Sequence, residues 1–188
     1  MIAALSCLLS SCSPKPISGH VSVATPAGAD VTLGAVQIEV ISKGDADDFI
    51  TQCQAQIDRK AAALKAAYGE AKRNYDAAAR VESQTQTAGT KAELKLARAK
   101  LNDTAATLKA FPTANDYFEG FFPTPIEITM TDVEGDFTID RPKQPAKVFA
   151  KAQRQMSGSI ENYFWLVDLP ATGARLILNN SNLFTVPR

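Results

Sequence analysis

Few side chains in this chain have types and spacings that could do chemistry. There is one histidine, His20, and there are three cysteines, Cys7, Cys12 and Cys53. A zinc site needs several His, Cys or carboxylate ligands at workable spacing. His20 instead reads as an isolated residue on the outward face of a strand, which excludes a zinc hydrolase. A Ser-His-Asp arrangement would have to use the same His20, and no G-x-S-x-G elbow surrounds any serine. No glycine-rich loop is present to cradle a phosphate. Asp132, Glu134 and Asp136 alternate as acids that could bind Ca²⁺, but their spacing is not that of an EF-hand loop, and they read as a solvated turn. The expectation is therefore no catalytic residue, no metal and no cofactor.

Cys12 belongs to a different chemistry. The apolar run Ile2 to Leu9 is much shorter than the roughly 20 residues that span a bilayer. It ends in the small residues Ser10 and Ser11, the form of an export signal, although no Lys or Arg precedes it. Leu9-Ser10-Ser11-Cys12 resembles the bacterial lipobox, which implies a thiol acylated by diacylglycerol and cleavage just before it. Ser13-Pro14-Lys15-Pro16 then reads as an extended tether. Ser13 behind the cysteine, by the same resemblance, suits outer-membrane sorting. Cys7 would leave with the signal and Cys12 would carry lipid. Cys53 would then stay alone on the apolar stripe of a helix, with no internal disulfide.

The positioning elements follow from periodicity. The 188 residues carry 20 acidic and 20 basic side chains, so no net field draws the protein to nucleic acid. Ile17, Gly19, Val21 and Val23 alternate with polar neighbours as a strand, and a second strand is expected through Val31, Leu33, Val36, Ile38 and Val40. Asp45 is the expected N-cap of a helix of about 37 residues. Its stripe runs Ile50, Cys53, Ile57, Leu64, Ala67, Ala71 and Ala78, with Ala61, Tyr68 and Tyr75 beside it, at coiled-coil-like spacing. A polar loop from Ser83 to Gly89 leads to a capping box at Thr90-Lys91-Ala92-Glu93 and a second helix of about 22 residues, striped by Leu94, Ala97, Leu101, Ala105, Leu108 and Phe111 and ended by Pro112. The two arms pair as an antiparallel hairpin, roughly 55 Å against 33 Å at 1.5 Å per residue. A short helix within Thr113 to Gly120 would complete the pairing at the root of the longer arm or pack on the β part. The aromatic cluster Tyr117, Phe118, Phe121 and Phe122 reads as core.

After Pro125 the period of two returns. Ile126, Ile128 and Met130 form an apolar face against Glu127, Thr129 and Thr131, and Asp132 to Gly135 is the expected hairpin turn into Phe137 and Ile139. Val148 to Gln153, Tyr163 to Leu169 and Arg175 to Leu178 supply three further strands. About seven short strands suit a β-sandwich.

Thr131-Asp132-Val133-Glu134-Gly135-Asp136-Phe137 resembles the Thr-Asp-x-x-Gly-x-Phe segment of carboxypeptidase regulatory-like domains, and Ile17-Ser18-Gly19-His20-Val21 is similar to their opening strand. That family has a transthyretin-like sandwich and serves as an accessory folding and binding module. The resemblance implies a small antiparallel transthyretin-like β-sandwich (17–41 and 123–188); with the elements read from periodicity, the expected chain is α+β, the sandwich interrupted by an antiparallel two-helix coiled-coil hairpin (42–122), behind a signal (1–11) and a lipidated tether (12–16).

The expected function is a non-enzymatic cell-envelope lipoprotein. It would be held on the membrane by its lipid and would use the hairpin to engage a protein partner or a second copy. One alternative is a glycan- or peptidoglycan-binding sandwich with Tyr163, Trp165 and Phe184 as stacking residues. Another is a periplasmic adaptor-like part of a transport or secretion system. Lys91, Lys95, Arg98 and Lys100 read as a solvated helix face rather than a lipid-binding patch.

Overall fold

The structure is a computed structural model that describes residues 15–25, 28–118, 122–156, 158–170 and 173–186. The signal, lipobox and first tether residues, with Cys7 and Cys12, lie outside the described residues, as does Phe121. The chain is α+β. It divides into two compact units, one holding the described residues up to Gly44 and from Thr124 to Phe184, the other holding Asp45 to Pro123 and the residues after Phe184.

The first unit contains two four-stranded sheets. In one, β1 (Ile17–Ala24) is flanked by β2 (Asp30–Thr32), β5 (Asp136–Ile139) and β8 (Leu176–Leu178). The other has the order β4 (Glu127–Met130), β3 (Gln37–Ser42), β6 (Ala146–Met156), β7 (Ser159–Asp168). Among the described strands every pairing is antiparallel except that of β8 with β1, which is parallel, so the expectation of a wholly antiparallel architecture is corrected there. Val21 donates its N–H to Gly135 O and accepts from Leu33 N–H, which places β5 and β2 end to end along a single edge of β1. The second strand expected from Val31 to Val40 is in fact two strands in different sheets. Ala35, with φ of +57°, turns the chain between them.

One apolar cluster draws on both sheets. It takes Ile17, Val21 and Val23 from β1 and Phe137 and Ile139 from β5, and it meets Ile38, Val40, Val148, Ala150 and Trp165 from the other sheet. Its central fitting is between Gly19 and Phe137, which are directly opposed in the β1–β5 register. The Phe137 ring occupies the space a side chain at residue 19 would need: a Cβ there would lie 2.0 Å from the ring's Cζ. Only glycine at residue 19 leaves this ring its place, as close packing demands.

Thr131 to Gly135 joins the sheets rather than forming a hairpin within one, since β4 pairs with β3 and β5 with β1. The Thr131 hydroxyl is buried and doubly used, donating to Leu33 O and accepting from Val36 N–H, each at 2.9 Å. Asp132 Oδ1 accepts from the N–H groups of Glu134 and Asp136, an Asx-type turn. Gly135 has φ of +78°, and a Cβ on it would stand 2.7 Å from Val21 O. The same geometry turns the apolar face of Ile126, Ile128 and Met130 outward. Ile128 pairs with Glu39 and Met130 with Gln37, on the face turned away from Ile38 and Val40, so these three side chains are 50, 56 and 56% exposed.

The second unit is helical. Helix α1 (Lys43–Thr85) starts before the expected cap at Asp45, because Lys43 N–H is already satisfied by Pro145 O. It also runs through much of the expected loop. Within that polar stretch the hydroxyls of Ser83 and Thr85 bond back to Arg80 O and Val81 O, so neither leaves the helix to cap it. Gln86, with φ of +46°, makes the reversal. Helix α2 (Ala88–Ala110) is capped by Thr87, not Thr90; Thr90 is the reciprocal partner in the capping box.

Along α1, Ile57, Ala61, Leu64, Tyr68, Ala71, Tyr75 and Ala78 are withdrawn from solvent at alternating steps of four and three, whereas Ala67 is exposed. Along α2 the same alternation picks out Leu94, Ala97, Leu101, Thr104 and Leu108. The return direction is fixed near the base, where Lys60 Nζ lies 5.2 Å from the Phe111 ring centre. The short helix α3 (Ala114–Phe118) docks beside α1: Lys60 bonds Asp116 at 2.6 Å, Cys53 Sγ donates to Tyr117 O, and Phe49 stacks on Phe118. Tyr117 is fully buried and its hydroxyl donates to Gln54.

Two substitutions test the central fitting. Phe137→Ala should cost about 3–5 kcal/mol, and Gly19→Ala about 1–3 kcal/mol or more from overpacking. The double variant should be more stable than the sum of the two losses predicts, because the cavity left by Phe137 accepts the new methyl group. Urea unfolding of the three variants measures this.

Candidate functional site

A compact polar cluster on the β unit is built from two strands and the residue before a third. His20 of β1 stands opposite Asp136 of β5, and its Nδ1 is 2.6 Å from Asp136 Oδ1. Arg175, just before β8, also donates to Asp136 Oδ1. The hydrogen bond from His20, with the charge and hydrogen bond of Arg175 beside it, holds the Asp136 carboxyl below the usual carboxylate range despite some desolvation. Ser18, Thr138 and Asp132 line the adjoining groove of about 440 Å³ together with Arg175.

The shared Asp136 Oδ1 ties β1, β5 and the residue before β8 together. Arg175 shares the carboxylate oxygen that His20 uses, and a triad needs a nucleophile hydrogen-bonded to the other side of the imidazole. Asp132 is committed to its own turn, so Asp132, Glu134 and Asp136 do not converge on one point. Among the described residues no group of three or more His, Cys, Asp or Glu is arranged to hold a metal ion. Sequence periodicity put His20 on an outward face but could not pair it, because Asp136 and Arg175 reach it only through the β1–β5 and β1–β8 registers.

Of the three aromatic residues expected to stack on a ligand, Tyr163 and Trp165 are buried. Trp165 is fully buried in the core and its indole N–H donates to Asn179 O at 2.9 Å, so no ring face is open. Tyr163 is 8% exposed, stacks against Trp165 with ring centres 6.0 Å apart, and donates its hydroxyl to Glu161. Phe184 is half-buried, and its N–H donates to Phe164 O at 2.7 Å, extending the β7 edge. Both Tyr163 and Trp165 face the side on which the two sheets share their core, and alternation alone could not tell which side that was. One open groove of about 570 Å³ lies along β3 and β6, lined by Gln37, Glu39, Phe149 and Lys151 among others, and another of about 540 Å³ lies beside Tyr163, lined also by Glu161, Asn162 and Asn180.

Cys53 is half-buried between α1 and α3, and burial pushes its thiol pKa up. Lys91, Lys95, Arg98 and Lys100 are all exposed on α2. No described helix is long and apolar enough to cross a membrane.

Comparison with protein-family models, with curated proteins and with solved structures yields no match.

Two measurements follow from these assignments. A carboxylate whose pKa is depressed on folding contributes stability above its unfolded pKa and loses that contribution as pH falls through the folded value. Asp136→Asn should therefore melt lower at neutral pH and lose less stability than the parent on acidification below the ordinary carboxylate range, as read by thermal melts across pH. Alkylation of Cys53 in mildly alkaline buffer should run several-fold slower in the folded chain than in urea.

Proposed function

We propose that this protein is a non-enzymatic cell-envelope lipoprotein, anchored through Cys12, in which a transthyretin-like β-sandwich carries a coiled-coil hairpin that engages a protein partner. The observation that carries this reading is the thinness of the helical arm. Helix α2 contains no buried residue, and Leu96 is 72% and Val81 45% exposed. An isolated helix gains little from propensity alone, and most helical stability comes from packing an apolar face. A seam built largely of Ala and half-exposed Leu leaves much of the arm to be covered by something else, and its length is otherwise unexplained.

The sandwich reading draws on the single apolar cluster shared by two sheets. The transthyretin-like reading draws on Gly19, Thr131, Asp132, Gly135 and Phe137, each of which has a physical task in the resemblance-bearing segments. The lipid anchor rests on the Leu9-Ser10-Ser11-Cys12 resemblance and the apolar run before it.

Two experiments test the two halves of the reading. Metabolic labelling with an alkynyl fatty acid should mark the full-length chain, and Cys12→Ser should abolish the label. A photoreactive residue in place of exposed Gln84, near the reversal, should capture one specific protein in the native envelope. Absence of any adduct from a properly anchored chain refutes the arm as an interaction device.

A further inference from the structure

We infer that the partner of the helical arm presents an acidic helix, which lies along a row of cations on α2. The inference rests on the reading of the arm as an interaction device and names the chemistry of what it engages. Lys91, Lys95 and Arg98 follow one another at steps of four and three, so they share one face of α2, and all three are exposed. On α1, Lys60 is ion-paired with Asp116 at 2.6 Å and Lys72 with Asp76 at 3.0 Å. The three cations of the row have no such partner among the described residues. Glu93 is the one acid from Ala88 to Asn102, and it stands two residues from Lys91 and from Lys95, a spacing that puts it on another side of the helix.

The spacing selects a helix as the occupant. Lys91 and Arg98 border the stripe of Leu94, Ala97 and Leu101, and charges in that position choose the partner of a coiled coil. Seven residues advance about 10.5 Å along a helix, so carboxylates seven apart on a second helix stay in step with Lys91 and Arg98. Same-face residues of a strand recur every ~6.7 Å and fall out of step.

An anionic bilayer also attracts cations, but a helix lying on it buries bulky apolar side chains in the interface. The exposed neighbours of the row are Ala92, Ala99 and Asn102, while Leu96, 72% exposed, points to another side of α2. Charge without an apolar wedge favours the carboxylates of a protein over lipid phosphate.

A photoreactive residue in place of exposed Asn102, next to the row, tests this in the full-length chain in its native envelope, with the adduct read by peptide mass spectrometry. Capture should occur through a helical segment of one protein, rich in Asp and Glu at seven-residue spacing. The triple variant Lys91→Glu, Lys95→Glu, Arg98→Glu should lower the yield about tenfold, since three attractive pairs become repulsive. Its circular dichroism spectrum should match the parent's, because these positions are exposed and a carboxylate near the start of a helix is favoured. Lys100→Glu, on the opposite side of α2, should leave the yield unchanged. Lysine in place of the partner's facing acids should restore capture by the triple variant. Equal capture by the triple variant, or capture through a segment without such acids, overturns the acidic helix and leaves the arm standing as an interaction device. Adducts with phospholipid alone overturn it in favour of a membrane surface. No adduct from either Asn102 or Gln84 refutes the arm reading, and this inference with it.

Discussion

The β unit depends on the absence of a side chain at residue 19. Phe137 fills the vacated volume from the neighbouring strand, so one ring closes the surface of β1 and anchors β5. Interiors this closely packed turn a missing methyl group into a positional constraint. Once the ring is seated, the register of β5 on β1 is set, and Asp136 is delivered beside His20. The turn before β5 must then bring its backbone against Val21, where Gly135 is needed for both its positive φ and its lack of a Cβ.

The crossover from β4 to β5 carries its own polar accounting. A buried hydroxyl is costly unless bonded, and Thr131 uses both donor and acceptor capacity on the segment between β2 and β3. Two chain crossings between the sheets are thereby tied to each other. The inward turn of Thr131 also accounts for the outward turn of Ile128 and Met130, since alternation along a strand allows only one of the two sets to face the core.

In the helical unit, small side chains at heptad spacing govern. Alanine and half-buried tyrosine along α1, and leucine and alanine along α2, are the side chains withdrawn from solvent, a narrow stripe on each helix. Greater burial is found at the base, where Phe49, Phe118 and Phe122 cluster, with Phe49 and Phe122 edge to face at 4.8 Å, and where Tyr117 is enclosed. The longer arm is thus held firmly at its root, with its partner helix half exposed along its length.

Local pattern determined much of this protein. Period-two alternation marked β1, β5, β6, β7 and β8, the heptad stripe and Pro112 marked the helices, and the Thr131 to Phe137 segment announced a turn needing glycine. These signals are local because backbone geometry repeats over two or 3.6 residues. Tertiary structure alone decided the remainder. It split Val31 to Val40 between two sheets, laid β8 parallel to β1, and turned Ile128 and Met130 outward and Trp165 inward. It also moved the cap of α2 to Thr87 and joined His20, Asp136 and Arg175. Each of these depends on a partner distant in sequence: which face of a strand is buried is set by the sheet packed against it, and a polar residue acquires a role only from the strand that register brings alongside.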